Sequence, residues 1–461
     1  MRLTVIGCGY LGAVHAAAMA DLGHHVLGVE TDPARLERLA RGEAPFYEPG
    51  LDELLRRGAR TGRLRYTAEL DGAAARADVH FLAVGTPQSP SGRGADLSHL
   101  WRAVDTLAAT LPPRERLDEL PLVVGKSTVP VGTAQRVADR LAGRALVVWN
   151  PEFLREGLAV SDTLRPDRIV YGLPADPAGA ERAREVLDEV YAPILEADVP
   201  RLTMDYQTAE LVKTAANAFL ATKISFINAM SALCDAAGAD VAVLADAIGR
   251  DARIGHRFLR AGIGFGGGCL PKDLRGLEQR AAELGADGLA SFLDRVDAIN
   301  RGQRDRVTQM ALEALEPDPA GRAVTILGVT FKPDSDDLRD SPVLEVALRL
   351  RDAGAVVTVH DPRGLAGLSR RHPDLRTQPD ALRALEGAEL VILGTEWKEL
   401  TDLDPAAAAA RAARPVLIDA RNALVPSRWT AAGWDYRGIG RRADPRRSAP
   451  APDPRMDAAA G

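Results

Sequence analysis

A thiol set between a glycine-rich loop and the start of a helix is placed to act as a nucleophile. Cys269 has that setting in the run Gly264-Phe265-Gly266-Gly267-Gly268-Cys269-Leu270-Pro271-Lys272-Asp273. Pro271 suits the first helical position, where its missing N–H costs nothing. Partial positive charge at a helix N-terminus favours the thiolate, and Lys272 adds to it. An isolated cysteine would read as a small buried thiol in a turn; the glycines, the proline and the Lys-Asp pair favour the nucleophile. Lys213 and Asn217 lie four apart in a segment without Pro or Gly. They therefore share a helix face and together can stabilise an oxyanion. Glu152 and Glu156 lie four apart in Asn150-Pro151-Glu152-Phe153-Leu154-Arg155-Glu156-Gly157, where either carboxylate can activate water. Asp273 follows Cys269 by four residues, and Phe331-Lys332 with Arg339 offers cations to phosphates.

A second cluster is built for a dinucleotide. Gly7-Cys8-Gly9-Tyr10-Leu11-Gly12 follows a strand pattern and opens a helical one, and a second strand ends at Glu30. The glycines permit a tight turn and close approach of a pyrophosphate to the helix N-terminus. A carboxylate at that strand end binds the ribose hydroxyls and repels a 2′-phosphate, which favours NAD over NADP. Arg35 lies near enough in sequence to weaken that preference slightly. Thr86 and Ser127-Thr128 end later strands, where ligands of such sheets bind. The histidines are scattered and no Cys-x-x-Cys occurs, so no metal is expected.

These groups need elements to hold them. Leu3–Ile6, Val26–Val29, Val79–Val84, Leu122–Val124 and Ala145–Val148 are short apolar runs alternating with helical patterns, the signature of a parallel sheet covered by helices. One long helix is expected from Tyr206 to about Ala237. Strands return at Ala323–Gly328, Val356–His360, Leu390–Leu393 and Val416–Asp419, without a dinucleotide glycine signature. The expected fold is α/β: two doubly wound Rossmann-like domains joined by a central helical domain with one long helix. The expected boundaries are 1–203, 204–315 and 316–440, with a disordered Pro/Ala/Arg-rich tail at 441–461. Hydrophobic content of 46% is ample for sizeable cores, and a net charge of −6 argues against broad nucleic-acid binding. Three cysteines suggest no disulfide framework and hence a reducing, cytoplasmic setting. The N-terminus runs straight into a strand pattern without the layout of a signal peptide. No stretch is apolar enough to suggest a membrane span.

Taken in order, these motifs resemble the UDP-glucose/GDP-mannose dehydrogenase family of nucleotide-sugar dehydrogenases. The resemblance covers about residues 1 to 440. It rests on the runs at 7–12, 150–157 and 264–273 and on Tyr47-Glu48-Pro49-Gly50-Leu51. It also rests on Val84-Gly85-Thr86-Pro87, Lys126-Ser127-Thr128-Val129-Pro130-Val131-Gly132-Thr133, Glu210-Leu211-Val212-Lys213 to Asn217, and Phe331-Lys332-Pro333. It implies oxidation of a primary alcohol to a carboxylate with two NAD, UDP-glucose being the expected substrate and UDP-glucuronate the product. Cys269 matches the nucleophile that carries a thiohemiacetal and then a thioester. Lys213 and Asn217 match oxyanion stabilisers, and Asp273 the carboxylate acting with the lysine and a water. Glu152 matches the acid/base of thioester hydrolysis, with Thr128 and Glu156 in the water network. The resemblance implies NAD contacts from Gly7, Gly9, Tyr10, Leu11, Gly12, Glu30, Arg35, Thr86, Thr128, Glu156, Lys272 and Arg339. It implies UDP-sugar contacts from Glu152, Phe153, Leu154, Lys213, Asn217, Arg253, Arg260, Phe265, Gly266, Phe331, Lys332 and Arg421. Arg253 is expected to act across a subunit boundary and the long helix to form the core of a homodimer or higher homo-oligomer. Gly268 replaces a serine often found in the family, which is expected to loosen the loop. Two other readings stand beside this one: the same chemistry on GDP-mannose or a UDP-N-acetylhexosamine, and a catalytically silent nucleotide-binding protein.

Overall fold

The computed structural model describes residues 1–70, 76–89 and 94–441. The chain forms two compact units: Met1–Ala216 with Arg275–Ala286, and Asn217–Leu274 with the chain from Asp287 onward. The first is built on β1 (Arg2–Ile6), β2 (His25–Val29), β3 (Leu64–Thr67), β4 (Val79–Leu82), β5 (Leu122–Gly125), β6 (Leu146–Trp149), β7 (Ile169–Leu173) and β8 (Arg201–Asp205). Their order is β3-β2-β1-β4-β5-β6-β7-β8, parallel except between β6 and β7. The central strands are covered on both faces: β4 and β5 are buried throughout. That double burial is why they read as nearly continuous apolar runs, interrupted by His80, whose Nδ1 lies 2.7 Å from Thr4 Oγ1. The chain leaves β1 toward β2 and returns to β4 on the other side. Ile6 therefore pairs with both Val29 and Leu82. The turn after Ile6, Glu30 after β2 and the loop after β4 then share the carboxyl edge at a topological switch point, where open sheets of this kind bind ligands.

The second unit contains β9 (Ala323–Leu327), β10 (Val356–His360), β11 (Arg376–Thr377), β12 (Leu390–Leu393), β13 (Val416–Asp419) and β14 (Asp435–Gly438), all parallel, in the order β11-β10-β9-β12-β13-β14. Here the carboxylate after the second strand turns inward. Asp361 accepts from Val329 N (2.7 Å), Thr330 N (3.0 Å), Thr330 Oγ1 (3.0 Å) and Gly364 N (2.7 Å). The turn amides that would meet a pyrophosphate in the first sheet are already satisfied in this one, in keeping with the missing glycine signature.

The long helix runs Tyr206–Ala237, 32 residues, and the division between the units falls inside it. Rich in alanine and other helix formers, with no Pro or Gly, it has no internal reason to stop before Gly238. In the second unit it is pinned to the helix Asp287–Ala314 by Ser225, whose hydroxyl donates to Val296 O (2.8 Å). Among the described residues no helix is long and apolar enough to cross a membrane. The expected tail lies outside the described residues apart from Arg441.

Candidate active site

Three glycines in the turn after β1 have three different reasons to lack a side chain. Gly7 has φ +88° and a Cβ there would meet Val84 at 2.7 Å. A Cβ on Gly12 would run into the carbonyl of Gly7, so the helix Tyr10–Asp21 packs down on the turn. Gly9 faces open space, with nothing within 4 Å of a Cβ. Packing does not explain that glycine; close approach of a phosphate does, and no side chain caps this helix start. The residues present therefore fit a dinucleotide. Glu30 is buried at the end of β2, with Oε1 accepting from Asp32 N (2.9 Å) and Oε2 from Arg35 Nη1 (3.0 Å). At the same edge Thr86 Oγ1 donates to Thr128 O (2.8 Å) and Ser127 Oγ to Val84 O (2.7 Å), knitting the loops after β4 and β5.

The run Asn150–Gly157 leaves β6 into this edge. Asn150 Nδ2 donates to Val170 O (2.8 Å), while its Oδ1 accepts from Lys126 Nζ (3.0 Å) and Tyr191 Oη (2.7 Å). Burial pulls the Lys126 ammonium down to about 8, against the attraction of Glu152. Glu152 Oε1 pairs with Lys213 Nζ at 2.9 Å and its Oε2 accepts from Leu154 N (2.6 Å). Phe153 receives the Arg168 guanidinium 3.9 Å above its ring. Leu11, Glu152, Phe153, Leu154 and Arg168 line one pocket together with His15. Further along, Gly157 N is held by Glu48, and Tyr10 donates to the same carboxylate. Burial pushes the Glu48 carboxyl up against these hydrogen bonds. Glu210, one turn before Lys213 on the long helix, accepts from Gly132 N (2.7 Å) and Ala134 N (2.6 Å), at the start of the helix that follows the Thr128 loop. Burial pushes this carboxyl up to about 7 despite its amide donors.

In the second unit the cysteine loop is moulded onto its surroundings. Asn300 accepts from Phe265 N (2.8 Å) and donates to Phe265 O (3.0 Å). A Cβ on Gly266 would collide with Asp340 O, one on Gly267 with the Phe331 ring at 2.7 Å, and one on Gly268 with the Arg339 guanidinium at 2.5 Å. Gly268 thus gives its space to Arg339 in a packed loop, rather than leaving a slack one. Cys269 is exposed and immediately precedes the helix Leu270–Glu283, so Pro271 is its second residue, not its first. Cys269 O accepts from Asp273 N (2.9 Å), closing the first turn. Asp273 is buried, with Asn217 Nδ2 donating to Oδ2 (2.7 Å) and Lys272 Nζ 2.8 Å from Oδ1. Arg421 donates to the carbonyls of Gly394 (2.7 Å), Gly264 (3.1 Å) and Phe331 (2.8 Å) and so binds three loops. Arg260 and Arg421 both face Glu396, at 3.6 and 3.4 Å. Lys332 is buried, 5.8 Å from the Phe331 ring, and Arg339 pairs with Asp337. Arg253 stands apart: its side chain is 89% exposed and chelates Asp251.

Within each unit the structure thus brings expected residues together: Glu152 with Lys213, Asn217 with Asp273 and Lys272, and the cysteine loop with Phe331, Arg339 and Arg421. Sequence reasoning gave no role to Glu48, Lys126, Glu210 or Asn300. The first three lie in motifs already noticed, but nothing local says what a buried carboxylate or ammonium will touch. Among the described residues no group of His, Cys, Asp and Glu could hold a metal ion.

Comparison with known proteins agrees along most of the chain. Residues 1–195 match the NAD binding domain of the UDP-glucose/GDP-mannose dehydrogenase family, 207–302 its central domain and 325–426 its UDP binding domain. A UDP-glucose 6-dehydrogenase of Pseudomonas aeruginosa is 42% identical over 456 residues, spanning 96% of this chain and 98% of that protein. One from Rhizobium meliloti is 40% identical over 446 residues, 96% of this chain and all of the relative. The structure of a UDP-glucose dehydrogenase from the archaeon Pyrobaculum islandicum superposes with a TM-score of 0.84 at 37% identity, covering 96% of this chain and 98% of that one. A UDP-D-ManNAc dehydrogenase from Pyrococcus horikoshii gives 0.80 at 26% identity, covering 96% and 99%. With its carboxyl-edge glycine turn, its moulded cysteine loop and three consecutive domain matches, the chain belongs to the UDP-glucose/GDP-mannose dehydrogenase family.

Proposed function

We propose that the chain oxidises UDP-glucose to UDP-glucuronate with two NAD, in the cytoplasm, through a covalent intermediate on Cys269. The observation that carries this reading is the exposed thiol at a helix start whose first turn holds the buried Asp273, paired with Lys272 and hydrogen-bonded by Asn217 of the long helix. The choice of glucose is supported by relatives of 36–42% identity over nearly the full chain, against 26% for the N-acetylmannosamine enzyme. Residues 1–203, 204–315 and 316–440 are taken as the NAD, central and UDP-sugar domains.

When bound, NAD accepts a hydride in each oxidation. Asp273 and Lys213 take the hydroxyl proton through a water in the first. The Cys269 thiolate then adds to the aldehyde carbon, and Lys213 and Asn217 stabilise the oxyanion of the adduct. Loss of the second hydride leaves a thioester. Glu152 activates the water that cleaves its C–S bond, Thr128 and Glu156 ordering that water, and the thiolate is regenerated. The alcohol, two oxidised NAD and one water give a carboxylate, two NADH and three protons. Arg260, Phe265, Gly266, Phe331, Lys332 and Arg421 are assigned to the UDP-sugar, and Arg253 to the site of a neighbouring subunit. A panel of nucleotide sugars followed by NADH appearance tests the reading: two NADH per UDP-glucose are expected. Turnover of GDP-mannose or a UDP-N-acetylhexosamine alone would move the assignment to those sugars, and no turnover at all would leave a nucleotide-binding protein.

Two further results follow from the geometry. Arg35 is held on Glu30 at 3.0 Å. Glu30→Ser removes the acceptor for the ribose hydroxyls and releases Arg35 for a 2′-phosphate. The NADP/NAD ratio of kcat/KM is expected to rise at least about 10-fold; an unchanged ratio would remove Glu30 from the ribose. Phe219, Phe226 and Leu233 are 67%, 51% and 58% exposed on the long helix, seven residues apart. Such a stripe supports a homodimer packed along this helix. Phe226→Glu is expected to give a monomer in sedimentation velocity, whereas an unchanged mass would place the contact elsewhere.

A further inference from the structure

Glu48 lies in the loop before the helix Leu51–Arg60, and the mechanism above gives it no role. It is buried, and both of its oxygens are filled. Oε2 accepts from the Tyr10 phenol and from Gly157 N (2.7 Å); Oε1 accepts from Ala159 N (2.8 Å) and Val160 N (3.5 Å). Gly157 N also reaches Tyr10 Oη at 3.1 Å. Gly157 has φ +81° and directly follows Glu156. Tyr10 is the first residue of the helix behind the glycine turn, its ring 4.6 Å from that of Phe46. A single carboxylate therefore grips two parts of the first unit at once: the start of the cofactor helix, and the end of the loop that carries Glu152 and Glu156. Only an ionised carboxylate accepts from all four donors. A glutamine in its place would set an NH2 against backbone N–H groups on one side.

We propose that Glu48, acting through Tyr10 and Gly157, is a positioning residue that fixes the Glu152–Glu156 loop to the cofactor-binding turn and thereby serves the hydrolytic half of the reaction. Lys213 and Asn217, which serve the oxidations, sit on the long helix, not on either of the two parts that Glu48 grips. Loss of the clamp should therefore slow thioester cleavage more than hydride transfer. The inference rests on the function proposed above.

The test is the first turnover of full-length Glu48→Gln and Tyr10→Phe with UDP-glucose and saturating NAD, beside the unaltered protein. In Glu48→Gln a rapid burst of two NADH per subunit is expected, followed by a steady state about 10- to 100-fold slower. Intact mass should show the acyl adduct accumulating on the protein, and mapping should place it on Cys269. Tyr10→Phe, which deletes one hydroxyl and keeps the amide contacts, should show the same signature more weakly and serves alone where Glu48→Gln does not fold. Burst and steady state falling together, or a raised KM for NAD without an adduct, would overturn the proposal. Failure of the unaltered protein to make NADH from UDP-glucose would instead sink the function itself.

Discussion

Cys269→Ala is expected to lower formation of the carboxylate by about 10³-fold or more. The argument is one of electron pairs. The first oxidation yields an aldehyde, whose carbonyl carbon carries a hydrogen but no negative oxygen to expel it as hydride. Addition of the thiolate makes that carbon tetrahedral and its oxygen anionic, so a second hydride can leave. With alanine the remaining route is hydration of the aldehyde, without the covalent hold of a thiohemiacetal. The chain has two other thiols, but neither can substitute. Cys8 is buried with its pKa pushed far up, chiefly by burial, and Cys234 is buried and raised for the same first reason. Iodoacetamide should therefore label Cys269 alone in the native protein, and labelling should block turnover in step. Cys269→Ser should stall with an oxygen ester in place of the thioester, visible by intact mass. Glucuronate formed by Cys269→Ala at the unaltered rate would end the covalent scheme.

How much of this was legible without coordinates depends on where in a sheet a strand lies. Leu3–Ile6, Val79–Leu82, Leu122–Val124, Leu390–Leu393 and Val416–Asp419 announce themselves, because strands covered on both faces must be mostly apolar. The edge strands β3 (LRYT), β8 (RLTMD), β11 (RT) and β14 (DYRG) do not. One side of each meets solvent, so polar residues are tolerated and the pattern dissolves into loop-like composition. β7 is buried, but it joins β6 through a single antiparallel pair, Trp149 with Gly172, and so falls outside the βαβ rhythm that marks the other buried strands. The site shows the same division. Spacing on one helix, as for Glu210, Lys213 and Asn217, is local and can be read. The partners of those residues are not: Glu210 meets Gly132 and Glu48 meets Gly157 only because the sheet brings distant strand ends to one edge. Gly268 makes the point for packing. A missing side chain suggests slack, yet the volume belongs to Arg339, 71 residues away in sequence.

Lys213→Met should cost both stability and catalysis, and the two losses can be separated. Lys213 Nζ and Glu152 Oε1 are 2.9 Å apart, with side chains only 6% and 12% exposed. Removing one partner of such a pair strands the other charge in a poorly hydrated site, at about 3–5 kcal/mol. For a unit of this size that corresponds to a fall in melting temperature of about 10 °C. Glu152 keeps the Leu154 amide at 2.6 Å and the distant attraction of Lys126, too little to replace an ammonium in contact. Glu152→Gln alone should destabilise by a similar route, leaving the ammonium stranded. The double variant Lys213→Met/Glu152→Gln leaves neither charge behind and should recover most of the lost melting temperature. Catalysis should behave in the opposite way. The lysine is assigned to oxyanions that exist only along the reaction path, so Lys213→Met should lose about 10²- to 10³-fold in kcat. Restoring stability in the double variant should return none of it. Lys213→Arg keeps the charge but replaces a compact ammonium by a broad planar fork. It should melt near the unaltered protein while remaining severely impaired. A double variant that regained activity along with its melting temperature would show that the pair matters for folding alone, and Lys213 would leave the mechanism.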